Sequence, residues 1–374
     1  MRVLVPLGTR PEIVKLAPVV SALKEAGLAV RTVATGQHFS PSMSDAFFAA
    51  LGLETEARWA PEGDDAGRVG AMLTLAIREL AEHRPDVVLA LGDTWTVPVF
   101  CLAARRHGVP LAHLEAGLRS FNVTSMEEVN RKVAAATTSL HLAPTELAAR
   151  FLRDEAVSSA RIRVVGNPVI DVLRRLGARA RPVAERDGVV VTAHRATNVD
   201  DPDRLSLLVD LLRRTASELG PVTFPVHPRT RARLDELGAV GVLDGGGVRL
   251  LEPLPYEEML GLLAGARVVL TDSGGLQEEA SWLGIPVVVL RRSTPRWEGV
   301  AARTAVLAGL DVDLALDAAR RFCDPDEQRR VAAVPCPYGD GHTAERVAAI
   351  LADPETAPLL ELVEPDFVDR PVPA

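Results

Sequence analysis

RVVLTDSGGLQEEASWLGIPVVVLR, residues 267–291, is the stretch whose reading decides the fold. An apolar, β-branched run ends at Asp272, Ser273-Gly274-Gly275 open a helix-length segment, and a second apolar run follows at 286–291. Unbroken apolar runs of this length fit strands covered on both faces, and a strand–helix–strand unit joins parallel neighbours. Working outward, the same pattern recurs along the chain. Strands are expected at 2–6, 29–35, 86–91 and 110–115, then at 162–166, 188–194, 222–227, 248–252, 267–272 and 286–291. Between them lie segments with apolar residues at three and four spacing, such as Val14 to Leu23 and Leu205 to Leu219.

At 374 residues the chain exceeds one ordinary core, so two domains of roughly 150–200 residues are expected. Hydrophobic content is 47% with only 4% aromatic, and that balance of small aliphatic residues favours α/β layers over a sandwich. The fold class read here is α/β, two doubly wound domains facing a cleft. The seam is placed at VVGNPVID (164–171), giving a first domain over 1–167, a second over 168–350, and a tail over 351–374 expected to pack back on the first. Parallel sheets place ligands at the carboxyl ends of their strands.

Net charge is −8 with no long basic run, which argues against nucleic acid as a partner. No stretch of about 18 apolar residues offers a membrane span, and the N-terminal apolar run is too short for a signal peptide. Cys101, Cys323 and Cys336 follow no metal or disulfide spacing, so no metal is expected and reduced thiols in a cytoplasm are the plain reading.

Several stretches can carry chemistry. Gly8, Arg10, Pro11 and Lys15 mark a strand-to-helix turn with two cations, a sensible anion site or an ordinary turn. It matches neither a dinucleotide fingerprint nor a P-loop. Ser273, Gly274 and Gly275 let backbone N–H groups approach a phosphate, while Glu278 and Glu279 either suit the helix dipole or accept from sugar hydroxyls. His194, past a strand end, is an acid/base group, a phosphate ligand or a backbone cap. His227 reads as a turn residue between prolines. Asp93 and Glu115 end successive strands and would enter one crevice. In TSMEEVNR, Ser125 with Glu128 or Thr124 with Glu127 would form a capping box, leaving one glutamate for the crevice.

Taken together, GTRPEIVKLAPVV, TGQH, GDT, HLEAGLRSFN, EEVNR, APTE, VGNPVID, AHR..N, TDSGGLQEEA, GIPVVVLR and YGDG occur in order over residues 8–341. The chain resembles the UDP-N-acetylglucosamine 2-epimerase family. The resemblance implies two Rossmann-like domains of the GT-B type and a cofactor-free interconversion of UDP-GlcNAc and UDP-ManNAc through a 2-acetamidoglucal. It implies acid/base roles for Asp93, Glu115, Glu127 and His194, and pyrophosphate contacts for Arg10, Lys15, Ser273, Gly274 and Gly275. Glu279 would bind the ribose, Arg296 would help close the site, and Arg119, Asn130 and Arg131 match substrate-binding positions of the family or only hold the carboxylates in place. Gln37 and His38 match positions of allosteric regulation, and a homodimer is the family's habit.

The sequence departs from the pattern at Thr197, where HR.EN usually has glutamate, and at residues 134–136, where many members read TDH. The stretches around 39–43 and 66–72 lack the regulatory match. A hydrolysing relative, a GT-B glycosyltransferase and a non-catalytic UDP-sugar sensor are the competing readings.

Overall fold

The computed structural model describes residues 1–37, 48 and 51–362, which form two units. The first holds Met1–Leu118, Val123–Pro168 and the chain from His342 onward; the second holds Arg119–Asn122 and Val169–Gly341.

The first unit is built on β1 (Arg2–Leu7), β2 (Ala29–Ala34), β3 (Ala57–Arg58), β4 (Val87–Leu91), β5 (Leu111–Leu114), β6 (Leu140–Ala143) and β7 (Ile162–Val164). They pair in parallel in the order β3-β2-β1-β4-β5-β6-β7. The order reverses between β1 and β4, the topological switch point where such sheets open a crevice. Pro6 has no N–H for a ladder bond. Pairing of β1 with β4 covers only Val3↔Val87 and Leu4↔Val88, short of that proline. Both strands are buried throughout except at Arg2, as two-sided helix cover requires. Helices α1 (Arg10–Glu25), α2 (Asp65–His83), α3 (Thr96–Arg106), α4 (Met126–Thr137) and α5 (Glu146–Asp154) supply that cover.

Strands β8 (Val189–Thr192), β9 (Val222–Pro225), β10 (Val248–Leu251), β11 (Val268–Thr271), β12 (Val287–Val289) and β13 (Ala305–Leu307) form the second unit's sheet. Their order, β10-β9-β8-β11-β12-β13, is again parallel, with the switch point between β8 and β11. The opening stretch of sequence thus becomes β11, helix α6 (Gly274–Trp282) and β12. Val268, Leu270 and Val288 enter one core with Leu208 and Leu212, while Val269, Ala280 and Val287 enter the core on the other face. The period-two alternation of β11 serves both.

Residues up to 350 were expected in the second unit, but it ends at Gly341. Helix α7 (Thr343–Ala352) joins the first unit because its apolar face, Ala344, Val347, Ala348 and Leu351, shares a core with Ile13, Leu16 and Val20 of α1. Arg346 Nη1 donates to the Val165 carbonyl at 3.2 Å. Among the described residues, no helix is long and apolar enough to cross a membrane.

Candidate active site

In the first unit the predicted residues gather at the carboxyl ends of β1, β4 and β5. Gly92 turns the chain after β4 with φ +79°, and Asp93 follows it. Arg131 of α4 holds the Asp93 carboxylate through Nη1, and Asn130 Nδ2 donates to the Asp93 carbonyl at 2.9 Å. Arg131 also bonds buried Glu128, Nη2 to Oε2 at 2.5 Å. Asn130 and Arg131 are therefore the scaffold of Asp93.

Glu115, directly after β5, takes φ +65°, an uncommon conformation for a residue with a Cβ and a cost of about 1–3 kcal/mol. Its Oε1 accepts from Lys15 Nζ at 2.5 Å, and both side chains are buried. Lys15 thus lies against a carboxylate, while Arg10 is exposed at the start of α1.

The capping box expected at TSMEEVNR does not form. Ser125 is the N-cap of α4, but its hydroxyl bonds Glu127 Oε2 rather than a backbone N–H, and Glu128 turns inward to Arg131. A buried guanidinium outcompetes a solvated helix end for the carboxylate. Gln37 Oε1 accepts from Thr96 N at 3.3 Å, at the start of α3. His38 lies outside the described residues.

The second unit carries the matching set at β8 and β11. Asp272 has no exposed surface. Its Oδ2 accepts from His194 N (3.1 Å), Arg195 N (2.9 Å) and Asn198 Nδ2 (3.1 Å). His194 Nδ1 lies 3.2 Å from Asp272 Oδ1, and the imidazole side chain is 38% exposed. Burial lowers the His194 pKa, partly opposed by Asp272. The ring is thus neutral at pH 7, with its Nδ1 proton toward the carboxylate. Asp272, which the sequence presents only as a strand end, is the residue that organises the His194 turn. His227 caps the next helix, its Nδ1 accepting from Arg229 N at 3.2 Å, which is the turn role.

At the start of α6, Ser273 is the N-cap and its Oγ accepts from Leu276 N at 3.5 Å. Neither Gly274 nor Gly275 has positive φ. A Cβ on Gly274 would lie 3.5 Å from the Arg296 guanidinium, and one on Gly275 would meet only Glu279 Oε1 at 3.9 Å. The protein's own packing therefore does not demand glycine at either position, and the missing side chains leave room for an anion to approach the first turn, whose Leu276 N–H is taken by Ser273. Arg296 is buried against this turn with Nε 2.8 Å from Glu278 Oε1. Glu279 is also buried, and the Tyr256 phenol lies beside it, its pKa raised by burial and by that carboxylate. Arg119, buried to 1%, accepts at its carbonyl from Trp297 Nε1 at 2.9 Å within the second unit.

The model of the UDP-N-acetylglucosamine 2-epimerase family matches residues 21–352. The chain belongs to the UDP-N-acetylglucosamine 2-epimerase family. The UDP-N-acetylglucosamine 2-epimerase of Methanococcus maripaludis is 34% identical over 367 residues, 92% of this chain and 96% of that one. The UDP-2,3-diacetamido-2,3-dideoxy-D-glucuronate 2-epimerase of Pseudomonas aeruginosa is 35% identical over 365 residues, 94% of this chain and 99% of the relative. The solved UDP-GlcNAc 2-epimerase of Methanocaldococcus jannaschii, in complex with UDP-GlcNAc and UDP, superposes with a TM-score of 0.82 at 33% identity. That match covers 94% of this epimerase-family chain and 99% of the solved one.

Proposed function

We propose that this family member is a non-hydrolysing UDP-N-acetylglucosamine 2-epimerase that interconverts UDP-GlcNAc and UDP-ManNAc. The observation that carries the reading is the pair of clamped carboxylates at the first unit's sheet edge, Asp93 on Arg131 and Glu115 on Lys15. A carboxylate takes the proton from sugar carbon 2. The electron pair forms the carbon 1–carbon 2 double bond, and the bond from carbon 1 to the pyrophosphate oxygen breaks, releasing UDP and 2-acetamidoglucal. Re-addition of UDP at carbon 1 and of a proton at the opposite face of carbon 2 completes the epimerisation. Opposed proton transfers need acid/base groups on both faces, and Asp93, Glu115 and Glu127 fill those roles.

The departing pyrophosphate needs fixed positive potential. The open first turn of α6 with Ser273, Gly274 and Gly275, together with Arg10, Lys15 and Arg296, supplies it in this reading. His194, held by Asp272, stands near the pyrophosphate or shares the proton transfer through Nε2, the acceptor nitrogen of the neutral ring, and Glu279 accepts from ribose hydroxyls. Arg119 supports the sugar side, and Gln37 and His38 belong to a regulatory subsite. A cytoplasmic homodimer completes the reading on the family resemblance, and light scattering in solution tests the dimer.

The test is incubation with UDP-GlcNAc in deuterated water, followed by NMR and mass spectrometry. UDP-ManNAc carrying deuterium at carbon 2 is the expected product. Free N-acetylmannosamine plus UDP would replace the reading with hydrolysis, and unlabelled, unchanged substrate would reject it. The Pseudomonas aeruginosa relative motivates a second reading, in which the sugar is a 2,3-diacetamido uronate. The same labelling experiment on that substrate decides it.

A further inference from the structure

Arg296 of the second unit is held at three separate points. Its backbone N–H donates to Thr294 Oγ1 at 3.1 Å, its carbonyl accepts from the Tyr338 hydroxyl at 3.3 Å, and its Nε donates to Glu278 Oε1 at 2.8 Å. All three partners are buried. The local sequence Thr294-Pro295-Arg296 builds the first of these bonds. Proline offers no N–H, so the threonine hydroxyl, turning back on its own chain, meets the amide two positions on.

Every further bond takes its direction from that one. A backbone N–H only donates, so Thr294 Oγ1 accepts from Arg296 and its single proton goes elsewhere. It goes to Gln277 Oε1, 2.9 Å away in α6. With its oxygen engaged, the Gln277 amide turns Nε2 to the Ser273 carbonyl at 3.0 Å. The opposite amide orientation would set oxygen against oxygen at that carbonyl, in a side chain only 2% exposed. A one-way chain of hydrogen bonds therefore runs from the Arg296 N–H through Thr294 and Gln277 to the N-cap of α6.

The guanidinium lies over the same helix start, since a Cβ on Gly274 would stand 3.5 Å from Arg296 Cζ and Nη1. A long side chain that must be frozen by its ligand weakens binding; here the rotamer freedom is surrendered on folding. We propose that Thr294 is the positioning residue of Arg296: through Gln277 it ties Arg296 to the N-cap of α6 and so holds the guanidinium against the first turn, ready for a phosphate. The phosphate rests on the reading of that turn given above; the hydrogen-bonded chain does not.

The experiment has two arms. Without ligand, hydrogen exchange at Arg296 Nε–H is followed by nitrogen-15 NMR, the signal being assigned by its absence from R296K. T294V is expected to exchange at least about tenfold faster than the parent, and T294S, which keeps the hydroxyl, within about twofold of it. Equal rates in T294V and the parent would overturn the proposal. In the second arm UDP affinity is measured by calorimetry. T294V weakens it at least about tenfold and T294S restores it, whereas T294V added to R296Q costs less than about a further twofold. Losses that add in full would place the action of Thr294 elsewhere and overturn the proposal. Should T294V not fold, T294C carries the test, because a thiol is the weaker donor and acceptor; a smaller loss in both arms supports the proposal, and parent-like behaviour overturns it. If the parent binds no UDP, the functional reading fails while the exchange arm still decides the positioning.

Discussion

Replacing Asp272 by asparagine probes the second unit at its most constrained carboxylate. An asparagine turned with its oxygen in the Oδ2 position keeps the bonds from His194 N, Arg195 N and Asn198 Nδ2. Each becomes neutral, and the difference between a charged and a neutral acceptor is about 1 kcal/mol per bond. Some of that is returned because a charge is no longer buried, which leaves a net loss of about 1–3 kcal/mol. The amide nitrogen then stands where Oδ1 faced His194 Nδ1 at 3.2 Å. Two donors cannot face each other, so the histidine moves its proton to Nε2. Without the carboxylate that had opposed burial, its pKa falls further.

Nitrogen-15 NMR of the imidazoles reads the tautomer and the titration, and urea unfolding reads the stability. An Nδ1 proton retained in D272N, or a His194 pKa that rises, would refute the reasoning. The sign for the parent follows from the lowered pKa. Between the native value and the ordinary 6.5 the unfolded chain binds more protons, so stability falls as pH drops through that window.

Three further substitutions test separate parts of the site. G275A removes a glycine that neither backbone conformation nor packing requires, so it raises stability by about 0.5–1 kcal/mol. The same change weakens UDP binding at least about tenfold, equal to about 1.4 kcal/mol, by calorimetry; unchanged affinity would take the first turn of α6 out of the phosphate site. R131M strands buried Glu128 and should cost about 3–5 kcal/mol in denaturant unfolding; a loss below about 1 kcal/mol would mean the pair is not sequestered. E12Q tests the buried carboxyl that accepts from Gly8 N and Thr9 N at the start of α1. Glu12 rises from 4.5 to about 7 on folding, so its contribution is full below the lower value and lost as pH rises through the upper one. On that window E12Q gains over the parent on the order of 3 kcal/mol at about pH 8 and none at about pH 4, checked by urea midpoints at both.

The architecture was legible because runs rich in apolar and β-branched residues alternate with segments of helical spacing. Three short strands escaped it: the two residues of β3, β6 (LHLA) and β13 (AVL). The carboxyl-edge positions of Asp93, Glu115, His194 and Ser273 follow from strand order, so the candidate site was visible in outline. Its wiring was not. That Glu128 rather than Glu127 serves Arg131, that Asp272 organises His194, and that Lys15 meets Glu115 across a hundred residues of chain are tertiary choices. A local capping rule predicted the opposite for Ser125 and lost to a buried guanidinium.

The return of α7 to the first unit has a consequence for synthesis. A nascent chain leaves the ribosome from its N-terminus, and domains ordinarily fold in that order. Here the core around Ile13, Leu16 and Val20 lacks Val347, Ala348 and Leu351 until residues 343–352 have been made. The second unit, whose 169–341 stretch is continuous apart from the small Arg119–Asn122 addition, is complete before the first. A message truncated shortly before codon 342 would therefore release a chain with a finished C-terminal half and an open seam on α1, a substrate for chaperones rather than a smaller functional protein.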